Sequence, residues 1–315
     1  MAFIDVTKIE PRLKHPTIFE QFDALNGGDT LVIHNDHDPK PLYYQMIAER
    51  GPVFDWEYLQ EGPETWEVRI TRLRSGEQPA TIGELVAADF RKAEVFRKFG
   101  LDFCCGGKKS VEQACREKGL DVHAVKKELA DLDNQGGEKG QDFDQWALDT
   151  LADYIVGTHH RYVNESTPIL YELTQKVARV HGDRHPELID IADHFDAVAQ
   201  ELRMHMHKEE RILFPYIKAM AEAEREGRPQ QRAPFGPVKN PIRMMETEHE
   251  SAGGDMAAIQ TLSGNYTPPA DACTSYRVLF AKLQEFEQDL HRHIHLENNI
   301  LFPKAVALES APQPA

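Results

Sequence analysis

Cysteine is scarce in this sequence of 315 residues, which contains only four. Four cysteines in a chain of this length are too few for the disulfide framework of a secreted protein. We therefore expect the chain to work in the reducing cytoplasm, where its thiols stay free for chemistry. Two of the four, Cys104 and Cys105, are adjacent in the sequence.

The sequence also lacks an excess of basic over acidic residues, and it lacks long apolar runs. The formal net charge of -16 argues against a nucleic-acid partner, because phosphate binding needs clustered Lys and Arg. No apolar run approaches about 18 residues, so no membrane-spanning helix is expected. The first residues, MAFIDV, lack the charged and apolar regions of a secretory signal, so none is predicted.

What the sequence does contain is one phrase repeated near its C-terminal end. The copies run from His205 to Pro215 and from His293 to Pro303, and both read His-x-x-x-Glu, two further residues and Ile-Leu-Phe-Pro. Four residues of an α-helix turn by about 400° and rise by about 6 Å, so the imidazole and the carboxylate share one face. Two such helices facing each other would hold a pair of transition-metal ions in the core of a helix bundle.

Residues 143–309 are therefore predicted to form a four-helix bundle. Helical periodicity indicates helices at about 186–222, 241–262 and 271–308, after a first helix that leads to His160. A segment at about 167–181 is either an extension of the first helix or an extra helix, with Pro168 at its start. The alternative for each His-Glu pair is an ordinary surface pair, which the repetition argues against.

Residues 79–135 are predicted to form a small helical module around the vicinal cysteines. Cys104 and Cys105 precede two glycines in a turn ahead of a predicted helix. The helix dipole and the neighbouring Lys108 and Lys109 favour thiolate over thiol, which makes the pair candidates for redox or iron-handling chemistry. A buried structural pair is the alternative.

Residues 1–74 are predicted to fold as a two-layer α+β domain with the element order βαβαββ. The stretch resembles the small TusA-like domain found beside hemerythrin-type domains, through Gly28-Asp-Thr-Leu and Asn35-Asp-His-Asp-Pro-Lys-Pro-Leu42. Sulfur carriers of that type work through a cysteine persulfide, and no cysteine precedes Cys104. We therefore assign this domain no chemistry beyond docking of a partner.

The rest of the chain resembles the RIC family (repair of iron centres, the YtfE/ScdA-like group). Its N-terminal module is matched by Thr81-Ile-Gly-Glu-Leu, by the stretch from Phe96 to Lys108 with its Cys-Cys-Gly-Gly, and by Gly119-Leu-Asp-Val. Residues 143–304 are similar to the hemerythrin-type (HHE cation-binding) domain of that family. The expected protein is thus multidomain and mainly α, with a small α+β domain in front.

The resemblance implies a centre of two iron ions with an oxo or hydroxo bridge. It assigns four histidines as terminal ligands and two glutamates as bridging carboxylates, namely His160, His205, His249, His293, Glu209 and Glu297. It makes His181 a group close to the centre or an occasional ligand, and leaves a role for His159 open. His207, His291 and His295 flank the ligands and are expected to point off the ligand face.

The leading hypothesis is a protein that repairs iron-sulfur clusters damaged by nitric oxide or peroxide, with iron donated from the bundle. Its partners would be damaged iron-sulfur proteins or a cluster-assembly scaffold. The first alternative is an oxidoreductase that binds and reduces nitric oxide or oxygen. The second is a non-enzymatic sensor of these gases that acts through partner binding. Enzymatic activity is left open, and so is the oligomeric state, with a homodimer as one candidate.

Overall fold

The structure, a computed structural model, describes residues 2–51, 53–74, 79–134 and 141–311. Contacts within the chain define two compact units. The first draws on residues 1–81 and 109–136, and the second on residues 82–108 and 137–315. The predicted module of residues 79–135 is thus divided between the two units. Among the described residues, no helix is long and apolar enough to span a bilayer.

The first unit contains a four-stranded sheet. Its strands are β1 (Ala2–Asp5), β2 (Thr30–Asn35), β3 (Phe54–Gln60) and β4 (Trp66–Arg72). They lie in the order β1-β2-β4-β3, with β1 parallel to β2 and the other neighbours antiparallel. Two helices, α1 (Lys14–Asp23) and α2 (Lys40–Arg50), follow β1 and β2. The small α+β domain predicted for this stretch is confirmed.

Two further helices, α5 (Val111–Lys118) and α6 (Val122–Asn134), belong to the first unit. The imidazole of His123 packs on the ring of Tyr58 in β3, with ring centroids 4.3 Å apart. Lys126 of α6 bridges Glu112 at 2.8 Å and Asp55 of β3 at 3.5 Å. These contacts attach the second half of the cysteine module to the sheet domain.

The second unit is built on long helical rods, and three of them contain a π-turn. Their helices are α7 (Leu148–Ile155), α8 (Arg161–His181), α9 (Glu187–Lys208), α10 (Phe214–Arg225), α11 (Lys239–Leu262), α12 (Thr274–Leu296) and α13 (Phe302–Ser310). The π-turns join α7 to α8, α9 to α10 and α12 to α13, at Val156–His160, Glu209–Leu213 and Glu297–Leu301. The predicted bundle is confirmed, with α11 as its uninterrupted rod.

The prolines of the repeated phrase favour the π-turns. Pro215 and Pro303 carry no amide hydrogen, so an α-helical bond to the carbonyl four residues back is lost at each. The amide just before each proline reaches five residues back instead, from Phe214 to the Glu209 carbonyl and from Phe302 to the Glu297 carbonyl. Such π-turns occur frequently at functional sites. The π-turns at Glu209–Leu213 and Glu297–Leu301 each begin at a glutamate that we expected to be a ligand.

The segment at 167–181 is an extension of the first helix. Pro168 lies inside α8 and does not begin a helix, so our placement of a helix start there was wrong. The α-helix continues through Pro168, and at the residue before it the Thr167 hydroxyl donates to the Val163 carbonyl at 2.6 Å.

The first half of the cysteine module belongs to the second unit. It consists of α3 (Ile82–Ala88), α4 (Lys92–Lys98) and the cysteine loop, residues 101–108. The amide of Gly83 in α3 donates to the carbonyl of Gly107 at 2.8 Å, which closes the loop on the helix. Leu101, Phe103 and Cys104 are buried, so the loop is packed rather than solvated.

Candidate metal centre

Six buried side chains meet in the core of the bundle, and they are the six that the sequence suggested as ligands. His160 ends the first π-turn, and His205 lies one helical turn before Glu209 on the second rod. His293 and Glu297 repeat that spacing on the last rod, and His249 comes from the middle of α11. Each of the six side chains is at most 1% exposed.

The six form two groups that share both carboxylates. One group is His160, Glu209, His293 and Glu297, and the other is His205, Glu209, His249 and Glu297. Within each group the ligand atoms lie within 4.8 Å of one another. The two groups could therefore hold two neighbouring cations that share both carboxylates.

The Nε2 atoms of the imidazoles point at the shared carboxylates. In the first group, His160 Nε2 lies 3.3 Å from Glu209 Oε2, and His293 Nε2 lies 3.0 Å from Glu297 Oε1. In the second group, His205 Nε2 lies 3.2 Å from Glu209 Oε2. His249 Nε2 lies 3.0 Å both from Glu297 Oε2 and from His205 Nε2.

Several buried polar atoms of this cluster have no partner in hydrogen-bond geometry among the described residues, although imidazole nitrogens and carboxylate oxygens approach one another to 3.0–3.3 Å. They include both carboxylate oxygens of Glu209, Glu297 Oε2 and His160 Nε2. Unsatisfied buried polar groups are costly, and lone pairs left over on carboxylates and imidazoles suit a metal ion. Four imidazoles with two carboxylates suit first-row transition metals such as iron. The donor set therefore fits a two-metal centre.

The charges in the cluster point the same way. Burial lowers the pKa of His160 and His205, but Glu209 and Glu297 outweigh it and raise both pKa values to about 10. The imidazoles in turn keep the pKa of both carboxyls below its usual range, although burial raises it. His293 differs, since burial lowers its pKa. Two buried anions require cations close by, a role that protons or metal ions can fill.

Polar groups behind the imidazoles hold the rings in place. The Nδ1 atoms of His160, His205 and His249 lie 2.9 Å from Glu210 Oε1, Glu248 Oε2 and Asn298 Oδ1, respectively. Glu248 is also paired with Lys208. Hydrogen bonds of this kind keep the Nδ1 hydrogen in place and leave Nε2 free as a ligand. The Nδ1 atom of His293 has no such partner among the described residues.

Our prediction that His181 lies close to the centre is wrong. It ends α8, 21 residues beyond His160 on one rod, which at 1.5 Å per residue is about 30 Å away. There its Nε2 lies 3.2 Å from Cys273 Sγ, and its ring packs near Tyr276. Because we predicted a helix start at about residue 167, we did not place His181 on the same rod as His160, far from the centre.

The other histidines near the ligands are placed as follows. His159 is buried and bonded through Nδ1 to Asp289 at 2.9 Å, outside both ligand groups. His207 is exposed, as expected. His295 is 1% exposed and packs between Phe90 and Phe103, so it supports the cysteine loop. His291 also contacts Phe103, with ring centroids 6.0 Å apart.

The cysteine loop brings Asp102, Cys104 and Cys105 into a third group of potential ligands. The sulfur of Cys104 lies 3.1 Å from Asp102 Oδ1 and 3.8 Å from that of Cys105. Cys104 is buried and Cys105 half-buried. Cys105 Sγ comes within 3.8 Å of the position that a Cβ on Gly253 would take, one helical turn beyond His249.

Our expectation that both thiols are activated toward thiolate is wrong for Cys104. The adjacent Cys105, burial and the Asp102 carboxylate raise the pKa of Cys104 well above its ordinary value. The two lysines that we expected to favour thiolate are paired elsewhere, Lys108 with Glu246 at 2.6 Å and Lys109 with Glu117. Sequence proximity to a positive charge did not translate into contact.

Sequence reasoning missed Asn298 and Asn299, which follow Glu297. Asn298 contacts the ligand His249, and Asn299 Nδ2 donates to the carbonyl of Phe103 at 3.1 Å. A signal was present, because these positions of the first copy hold Glu210 and Arg211. The difference between the copies marks the one that also holds the cysteine loop.

Comparisons with known proteins agree with these features. Residues 151–305 match the family profile of the hemerythrin HHE cation binding domain. Residues 78–133 match a domain of unknown function, DUF542, also called ScdA_N. Residues 3–72 match the uncharacterized conserved protein family DUF2249.

Three relatives that match this chain over most of their own length are named as iron-sulfur cluster repair proteins. The iron-sulfur cluster repair protein YtfE of Musicola paradisiaca (strain Ech703) is 40% identical over 230 residues, which cover 73% of this chain and 97% of the relative. The probable iron-sulfur cluster repair protein of Haemophilus influenzae is 37% identical over 226 residues, or 71% of this chain and 96% of the relative. The YtfE protein of Enterobacter sp. (strain 638) is 40% identical over 228 residues, with 72% and 97% covered.

Proposed function

Because the chain belongs to the family of iron-sulfur cluster repair proteins, we propose that it is a di-iron protein that repairs clusters damaged by nitrosative or oxidative stress. Iron would be donated from the bundle to the damaged cluster. The single observation that carries the proposal is the pair of ligand groups that share Glu209 and Glu297 in the core. The proposed recipients are damaged iron-sulfur proteins or a cluster-assembly scaffold.

Iron would be held at two neighbouring positions. His160 and His293 would supply the terminal nitrogens of one position, and His205 and His249 those of the other, with the two glutamates as bridges. When bound, iron supplies both a redox-active cation and the cargo that a damaged cluster lacks. With four imidazoles and two carboxylates, the site carries fewer negative charges than ferritin-like sites, which use four carboxylates and two histidines. That lower charge favours release.

The surrounding residues keep the site assembled and dry. The six ligands are almost fully buried, so water competes little for their lone pairs. The carboxylates of Glu210 and Glu248 hold His160 and His205 with Nε2 facing the centre. Removal of such a carboxylate typically weakens metal binding by about 10- to 100-fold.

The vicinal cysteines are proposed to hand iron on or to control its redox state. Cys105 packs against α11 at Gly253, one helical turn from His249, and its Sγ lies 3.8 Å from the position that a Cβ on Gly253 would take. With Cys104 and Asp102 it forms a group of two thiols and a carboxylate that packs one helical turn from His249. Thiolate is a ligand for iron in iron-sulfur proteins, so the loop would suit a transient stop for the ion.

A cluster-repair assay tests the proposal. An iron-sulfur enzyme inactivated by nitric oxide is incubated without oxygen with iron-loaded wild type, Glu209→Gln, or a chain carrying Cys104→Ser and Cys105→Ser. We expect wild type to restore activity and cluster absorbance, Glu209→Gln to restore neither, and the cysteine variant to be slower at equal iron content.

Equal repair by all three proteins would contradict the proposal. Steady conversion of nitric oxide to nitrous oxide, with both iron ions retained, would also contradict it and would favour the oxidoreductase hypothesis. Free iron(II) at the same concentration is the control for repair by leaked metal.

A further inference from the structure

The two asparagines after Glu297 connect the metal centre to the cysteine loop. Asn298 is 6% exposed. Its Oδ1 lies 2.9 Å from His249 Nδ1, and its Nδ2 donates to the carbonyl of Cys104 at 3.4 Å. One buried amide therefore contacts a proposed ligand on one side and the backbone of the vicinal cysteines on the other.

Asn299 fastens the same loop through a second set of bonds. Its Nδ2 donates to the carbonyls of Phe103 and Cys104 at 3.1 and 3.3 Å and lies 3.1 Å from His295 Nδ1. The loop is shaped to receive this side chain. A Cβ on Gly107 would collide with Asn299 Oδ1 and would lie 2.7 Å from the Phe103 carbonyl oxygen. The glycine beyond the cysteines thus makes room for Asn299.

The other copy of the repeated phrase provides a comparison. Glu210 occupies the position of Asn298 and holds His160 Nδ1 at 2.9 Å. An ionised carboxylate only accepts hydrogen bonds, whereas an amide both accepts and donates. Holding a ligand imidazole therefore needs only the oxygen. The amide nitrogen of Asn298 serves the second contact, the one with the Cys104 carbonyl.

The direction of the coupling follows from the histidine tautomer. When Nε2 of His249 binds a metal ion, its hydrogen must lie on Nδ1, and Nδ1–H then donates to Asn298 Oδ1. The amide is thereby oriented with its nitrogen toward the Cys104 carbonyl. Without a metal ion on Nε2 the hydrogen of His249 can lie on either ring nitrogen, so this orientation of the amide is no longer enforced.

We propose that Asn298 is a positioning residue that couples the metal centre to the cysteine loop, so that metal loading closes the loop over its thiols. The inference rests on the proposed function, because it takes the bundle cluster as the metal centre. By linkage, a ligand that binds the thiols reversibly weakens metal binding by the same factor by which the metal weakens binding of that ligand.

The experiment measures thiol reactivity against metal loading in the full chain. Alkylation of Cys105 by iodoacetamide is followed by peptide mass spectrometry, without oxygen, in the metal-free and iron(II)-loaded protein. In wild type we expect loading to slow alkylation roughly two- to tenfold, the range that one net hydrogen bond of about 0.5–1.5 kcal/mol provides. In Asn298→Asp, which keeps an acceptor for His249 but loses the donor, the ratio should fall to about one.

Asn298→Ala is the second variant, because an added buried carboxylate can impair folding. It removes both contacts without charge, and its ratio should also fall to about one. Asn240→Ala, the same change at an exposed asparagine of α11, is the control, and it should keep the wild-type ratio. Metal content and circular dichroism are measured for every protein, so that ratios are compared only between folded chains with equal loading.

The reciprocal measurement uses a trivalent arsenical, which bridges two neighbouring thiols. It should speed loss of iron(II) to a chelator in wild type and leave the rate unchanged in Asn298→Ala. A wild-type alkylation ratio of one, or an unchanged ratio in both Asn298 variants, would overturn the inference. A protein that shows the coupling but repairs no cluster would overturn the proposed function alone.

Discussion

The two copies of the repeated phrase place the same kinds of candidate ligand in the core and differ in what the next two residues contact. In both, a histidine and a glutamate one helical turn apart face the core, and a π-turn begins at the glutamate. The next two residues separate the copies. Glu210 and Arg211 follow in the first, whereas Asn298 and Asn299 follow in the second and contact the cysteine loop.

The difference teaches that ligation and docking are separable properties of one motif. The shared residues define a symmetric pair of sites, because both glutamates serve both groups. The residues beside them determine which rod carries an additional module. Four predictions test this comparison. They begin with a change that should affect both copies equally and continue with changes that should affect the copies differently.

The largest effect is expected at the shared carboxylates. Glu209→Gln or Glu297→Gln should each abolish binding of both metal ions, because each glutamate belongs to both ligand groups. Metal analysis after loading with iron(II) and removal of the excess measures the effect. Retention of one firmly bound ion by either variant would show that the carboxylates are not shared.

The next effect distinguishes the copies through the Nδ1 partners. Glu248→Ala removes the group that holds His205, and we expect affinity for iron(II) to fall by about 10- to 100-fold. His293, its counterpart, has no such partner among the described residues. Glu250→Ala, an exposed change of the same charge on α11, is the control. Equal losses from Glu248→Ala and the control would contradict the account.

A steric change should affect the second copy alone. Gly107→Ala drives a Cβ into Asn299, and overpacking of this kind typically costs about 1–3 kcal/mol of the free energy of unfolding. Gly254→Ala on α11 is the matched control, since no atom lies within 4 Å of its added Cβ. It should stabilise the chain by roughly 0.5–1 kcal/mol. Urea denaturation measures both, and a neutral Gly107→Ala would mean that the loop does not dock on Asn299.

The last prediction concerns pH in the metal-free protein. The pKa of His205 is raised from 6.5 to about 10, so its contribution to stability is complete below pH 6.5 and disappears as pH rises through about 10. The lowered pKa of His293 has the opposite sign, and its contribution disappears as pH falls below 6.5. We therefore expect His205→Ala to reduce the loss of stability between pH 7 and 10.

His293→Ala should leave that alkaline loss in place. The measurement is urea denaturation in the presence of a chelator at several pH values. Identical pH profiles for the two variants would contradict the charge difference between the copies.

Much of this fold could be predicted because its signals are local and repeated. The His-x-x-x-Glu spacing places two donors on one helical face, and its repetition located the bundle core at His205 and His293. The order βαβαββ followed from strand and helix periodicity alone. The Ile-Leu-Phe-Pro ending is plain in the sequence, but its physical role in the π-turns is shown only by the bonds of Phe214 and Phe302.

The predictions that were wrong concern contacts between segments that are far apart in the sequence. Pro168 looks like a helix start in sequence, yet it lies within α8, and this error brought His181 too close to the centre. Lys108 is near Cys104 in the sequence, but its ammonium group forms an ion pair with Glu246 of α11. The contact between Asn298 and the Cys104 carbonyl could not be predicted, because it depends on the cysteine loop packing beside α11 and the last π-turn.

The most direct test of the account is the number and fate of iron ions in the wild-type chain. The protein is loaded with iron-57 without oxygen, counted by metal analysis and Mössbauer spectroscopy, and then mixed with an apo cluster-assembly scaffold. The account predicts two iron ions per chain, both of which pass to the scaffold as its clusters form. Fewer than two ions per chain, or two ions that stay in the bundle while no cluster forms, would contradict it.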